Sequence, residues 1–203
     1  MQLLFDSDAF VKLGVCGLLD EATRLLGVDL RQCGRLPALP HMLRRGRLRR
    51  VYGAEACDEL IPIAKAMPDL PPTGDTWLEK LRPVDAIDPG EAQIFAAAAQ
   101  EGLTVVSGDK RALRALKDLT EFVDPLSGRV VVFEALLLAL CDRYGYRKIQ
   151  RRVTRLAESD TMVRICFPTT NTDPVEALIS YYRDIVSELD PLVLWDPRGG
   201  TTR

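Results

Sequence analysis

Twice in this chain a short apolar run stops at acidic residues and gives way to a helical pattern. Residues 2–5 run into Asp6-Ser7-Asp8, and residues 103–106 run into Ser107-Gly108-Asp109. Runs this short and this apolar fit strands buried on both faces of a parallel sheet. Val11, Val15, Leu18, Leu19, Ala22 and Leu26 recur at helical spacing over residues 10–26, and residues 110–118 form a second amphipathic helix. Each unit is strand then helix, so the expected fold class is α/β with a mostly parallel central sheet.

The stretch between these units is read from its punctuation. Residues 36–39 suit a second short strand, although Pro37 and Pro40 argue against a central position. Residues 41–67 read as two helices meeting near Gly53, residues 68–74 as a loop with three prolines and a glycine, and residues 76–81 as a short helical turn. The sharpest helix signal is DPGEAQIFAAAAQEG. Asp88 stands at the N-cap, Pro89 at the first position, Glu91 completes a capping box, and Gly102 marks the exit.

After Asp124-Pro125 the pattern changes to an apolar helix over residues 130–144, a basic stretch over 147–155, a strand over 162–167 and a helix over 174–189. The expected organisation is an α/β domain over residues 1–125 and a mainly helical extension over 126–203 packed on it. Residues 2–5 are too short a run for a signal peptide, and no stretch reaches transmembrane length. The five cysteines, Cys16, Cys33, Cys57, Cys141 and Cys166, are scattered and form no close pair of the kind that holds structural zinc. Buried free thiols in a reducing cytoplasm, with no membrane partner, are the expectation.

Ligands of an open parallel sheet bind beyond the carboxyl ends of its strands, so Asp6, Asp8 and Asp109 are candidates for one shared site. Glu91 can join them only if the first turn of its helix lies over the strand ends, which periodicity does not establish. Each acid also has a local reading: Glu91 as half of a capping box, Asp109 as the cap of the next helix, Asp6 and Asp8 as turn residues. The formal net charge of -2 gives no global positive field, so contact with nucleic acid requires a local patch. Arg44, Arg45, Arg47, Arg49 and Arg50 supply one, or else form a solvated helix face.

LLFDSDAFVKL, DPGEAQIFAAAAQEG and LTVVSGDKRAL resemble the three signature segments of PIN-domain proteins, over roughly residues 1–125. The resemblance implies a Rossmann-like, three-layer α/β/α domain whose site is formed by Asp6, Glu91 and Asp109, with Asp8 as a further metal ligand. It implies hydrolysis of RNA phosphodiester bonds by a water activated on Mg²⁺ or Mn²⁺, hard cations that let close carboxylates coexist. Ser7 and Ser107 would orient the acids, while Arg44, Arg45, Arg47 and Lys110 would contact RNA phosphates. A toxin-like member would have a protein antitoxin or other regulator, and homodimers are common in the family.

One departure matters. The family usually carries another acid after the second strand, where LPALPHMLRRG offers His41 and arginines, and Glu55, Asp58 or Glu59 would have to substitute. The alternative is therefore a catalytically degenerate PIN-like module that binds RNA or a protein. A weaker resemblance links Asp6-Ser7-Asp8 to haloacid-dehalogenase phosphatases. That class has Thr or Val where Phe10 stands and a Lys where none occurs between Lys80 and Asp109.

Overall fold

The computed structural model describes residues 1–168 and 174–198. Four strands, β1 (Leu3–Phe5), β2 (Cys33–Arg35), β3 (Thr104–Ser107) and β4 (Val130–Val132), form one parallel sheet in the order β2-β1-β3-β4. Leu4 stands opposite both Gly34 and Val105, and Val106 opposite Val131. A Cβ on Gly34 would come within 2.6 Å of the Leu4 side chain and 2.5 Å of Met1 Sδ, so a larger residue there would force both side chains to shift.

The described helices are α1 (Ser7–Val15), α2 (Leu19–Leu25), α3 (Leu39–Arg44), α4 (Arg47–Tyr52), α5 (Ala54–Ala66), α6 (Asp75–Leu81), α7 (Pro89–Glu101), α8 (Lys110–Lys117), α9 (Thr120–Leu126), α10 (Phe133–Tyr144), α11 (Tyr146–Val153), α12 (Thr161–Cys166) and α13 (Pro174–Leu189).

The alternation of side chains along each strand divides the core into two layers. Leu3, Phe5, Val106 and Val131 face a cluster with Phe10, Leu43, Leu60, Leu136 and Met162. Leu4, Val105, Val130 and Val132 face the other way, against Phe95, Leu113, Phe122 and Ile185. Both faces of the sheet are covered, which makes a three-layer α/β/α fold. No described helix is long and apolar enough to cross a membrane.

Several boundaries differ from the sequence reading. The second strand lies at Cys33–Arg35, and Leu39 already begins α3, because Pro37 cannot donate to a ladder. Residues 10–26 break into α1 and α2 around Gly17, whose φ of 60° is left-handed. Residues 41–67 lie within three helices rather than two, with Gly46 as an additional break before Gly53. Residues 162–166 are helical rather than extended: the Asp160 side chain accepts from the Val163 N–H at 3.1 Å, and Met162, Val163 and Cys166 share the buried face. The expected helix from residue 130 starts at Phe133, because three consecutive valines complete the sheet as β4. The sheet therefore draws a strand from beyond residue 125.

The chain leaves β1 through α1 into the first core layer and leaves β3 through α8 into the second. The order thus reverses between β1 and β3, which opens a crevice beyond their carboxyl ends.

Candidate acidic site at the strand reversal

Asp6 directly follows Phe5, and its N–H donates to the Val106 carbonyl at 2.9 Å, extending the β1/β3 ladder by one rung. It stands at the N-cap of α1, yet its side chain makes no capping hydrogen bond. Asp6 is only 8% exposed. Burial, reinforced by the charges of Asp8, Asp88 and Asp109, pushes its carboxyl up to about 7.

Glu91 reaches the same place from the other core layer. The first turn of α7 comes near enough to the carboxyl ends of β1 and β3 for the charges of Asp6 and Asp109 to act on Glu91. The capping box is present: Asp88 Oδ1 accepts from the N–H groups of Gly90 and Glu91 at 2.8 Å, and Glu91 Oε2 accepts from the Asp88 N–H at 2.8 Å. Burial pushes the Glu91 carboxyl up to about 8, and Asp109, Asp88 and Asp6 add to the rise. Glu91 is thus both a cap and a member of the acid group.

Asp109 caps α8 through Oδ1, which accepts from the N–H groups of Arg111 at 2.9 Å and Ala112 at 3.1 Å. Both bonds use one oxygen and leave the other uncommitted to the cap. The fully buried Ser107 accepts from the Asp109 N–H at 3.4 Å and so supports this turn. Among the described residues the Ser7 hydroxyl donates to Met42 Sδ at 3.9 Å and not to an acid.

Asp8 is differently placed. Its Oδ1 accepts from the Tyr52 hydroxyl at 2.7 Å, and its Oδ2 pairs with Lys12 Nζ at 2.9 Å. Lys12 also pairs with Asp160 at 2.8 Å and lies 5.5 Å from the centre of the Phe133 ring. Burial opposes the charge on Lys12, but Asp8 and Asp160 outweigh it and raise its pKa. Burial likewise disfavours ionised Asp160, but Lys12 holds that carboxyl below its usual range.

Lys110 is not a free cation: it is ion-paired with Glu134 and lies 5.7 Å from the Tyr181 ring. Glu134 is fully buried, and its Oε2 has no hydrogen-bond partner among the described residues. Arg44 at the end of α3, Arg45 just beyond it and Arg47 at the start of α4 are exposed, and the charge of Arg47 is felt at the Tyr52 hydroxyl.

Glu55, Asp58 and Glu59 are exposed on α5, and Asp58 is paired with Arg49 at 2.6 Å. The acids that join the neighbourhood instead are Asp88, Asp160 and Glu134. Asp160 was hidden by the strand reading of residues 162–167; its spacing as an N-cap to Val163 was the signal that could have exposed it.

Asp6, Glu91 and Asp109 offer only carboxylate oxygens, two of them on buried groups that resist ionisation without a cation. That chemistry fits a hard divalent ion. Among the described residues, however, no three of His, Cys, Asp and Glu already surround a common point as ligands. Comparison of the chain with models of protein families, with curated proteins and with solved structures finds no match.

Proposed function

We propose that this chain is a divalent-metal-dependent ribonuclease of PIN-like type, with Asp6, Glu91 and Asp109 as the residues that hold Mg²⁺ or Mn²⁺. The observation that carries the reading is the meeting of Asp6 and Glu91, two buried acids from separate elements. Burial raises the pKa of both, the charge of Asp6 adds to the rise at Glu91, and Asp88 and Asp109 act on the two alike, at the point where strand order reverses. Folding such a pair together costs stability unless a cation is bound, so its presence is better explained by function than by packing.

When bound, a divalent ion supplies Lewis acidity and a water made nucleophilic near neutral pH. The chain's own residues do the rest. Asp88 fixes the Glu91 carboxylate through the capping box, and Ser107 and the α8 cap fix Asp109. Arg44, Arg45 and Arg47 provide exposed guanidinium groups for backbone phosphates, a contact that positions RNA without reading its bases. Under this reading the chain works in the cytoplasm on RNA, and an antitoxin, another regulator or a second copy would act by covering this end of the sheet.

A second reading, a PIN-like module that binds RNA or protein without cleaving, is favoured by one observation: both Asp8 oxygens are engaged by Tyr52 and Lys12. Calorimetric titration with Mn²⁺, followed by an RNA-cleavage assay on wild type and Asp6→Asn, separates the two. Metal binding and metal-dependent cleavage, both lost in the variant, support the nuclease. Binding without cleavage supports the module, and absence of binding refutes the metal site.

A further inference from the structure

Lys12 is the buried ionisable group that the proposed reaction leaves without a role. Its side chain is 12% exposed, and its ammonium contacts carboxylate oxygens from two distant parts of the chain, Asp8 Oδ2 at 2.9 Å and Asp160 Oδ2 at 2.8 Å. The remaining oxygens of both acids are also spoken for, by the Tyr52 hydroxyl at 2.7 Å and by the Val163 N–H at 3.1 Å. All four carboxylate oxygens are thus engaged around one positive charge, with an aromatic ring 5.5 Å away.

The ammonium also lies at the candidate site. A Cβ added to Gly108, the residue before Asp109, would be 3.8 Å from Lys12 Nζ and 4.0 Å from Asp8 Oδ2. Oxygens of Asp8 and Asp160 converge on the nitrogen from distances only slightly longer than a divalent ion requires, about 2.0–2.6 Å.

We propose that the Lys12 ammonium is a resident cation of this site. It takes, between Asp8 and Asp160, the position a second divalent ion would otherwise occupy, so that the protein binds one metal ion and not two. The count of one rests on the reading of Asp6, Glu91 and Asp109 as ligands; the assignment of Lys12 does not. A covalently attached charge cannot be lost to the solvent, and it brings Asp160, from beyond residue 125, into the wall of the site. The third N–H of the ammonium is the one left to donate to an anionic group of a bound substrate.

The test is Mn²⁺ stoichiometry by calorimetry on the full chain, for wild type, Lys12→Gln, and Lys12→Gln combined with Asp160→Asn, each shown to be folded by circular dichroism. The expected counts are one, two and one. Two ions on wild type, or one on wild type and still one on folded Lys12→Gln, overturns the proposal. No ion on wild type with one on Lys12→Gln upholds the Lys12 assignment and refutes the other ligand trio; none on either refutes both. Should Lys12→Gln fail to fold, ¹⁵N spectra of the lysine ammonium groups of wild type decide. A slowly exchanging Lys12 signal that persists under saturating Mg²⁺ supports the proposal, and its loss on adding Mg²⁺ overturns it.

Discussion

Asp6→Asn tests the electrostatic logic of the site without any assumption about catalysis. In the folded chain the Asp6 carboxyl titrates at about 7, against an ordinary value of 3.8. Below pH 3.8 both folded and unfolded chains hold the proton, and the residue has no effect on pH dependence. Between 3.8 and 7 the folded chain keeps a proton that the unfolded chain has released, so stability falls as pH rises. Above pH 7 the loss is complete and amounts to as much as about 4 kcal/mol.

Asparagine has no proton to lose, so the variant escapes this penalty. In metal-free buffer the stability difference between Asp6→Asn and wild type should therefore grow by about 2–4 kcal/mol between roughly pH 4 and pH 8, in favour of the variant. Urea unfolding followed by far-ultraviolet circular dichroism measures it, and comparing the two pH values cancels any fixed effect of the amide. A difference that stays constant with pH, or grows in favour of wild type, refutes the claim that Asp6 is a buried, uncompensated acid.

Mn²⁺ should offset much of that difference at pH 8. At one hundred times its dissociation constant it should stabilise wild type by about 2.7 kcal/mol and leave Asp6→Asn nearly unchanged, as read by thermal unfolding. Asp88→Ala removes the side-chain N-cap of α7 but keeps the backbone N–H that Glu91 Oε2 accepts from, so it should cost about 1 kcal/mol in urea unfolding and leave Mn²⁺ binding in calorimetry largely intact. Phe10→Ala empties a fully buried position against Phe5, with ring centres 6.2 Å apart, and should cost about 3–5 kcal/mol; a loss below 1 kcal/mol would contradict the packing of the first core layer.

The elements legible in advance were those whose signals are local. The capping box of α7 was readable because Asp88, Pro89, Glu91 and Gly102 act on their own backbone neighbours. The strand-to-acid junctions at Asp6 and Asp109 were readable because an apolar run ending in a polar turn is itself the signal. Glu91 could be assigned to a cap but not placed at the site, since its distance from Asp6 depends on how α7 crosses the sheet. Residues 130–132 and 162–167 were misread because short apolar runs suit strand and helix alike, and the choice rests on what packs against them.

The amino-acid sequence by itself determined the α/β class, the buried state of all five cysteines, and the presence of acids at the ends of two parallel strands. Each follows from composition and from contacts spanning a few residues. Only the tertiary structure decided which charges meet. Lys12 and Asp160 are far apart in the chain, yet they form one ion pair beside Asp8. Lys110, which reads as a free phosphate contact, is tied to the buried Glu134. The physical reason is that a Coulomb interaction depends on separation and solvent exposure, which only the packed sheet and helices set, whereas caps, breaks and hydrophobic periodicity act along the chain.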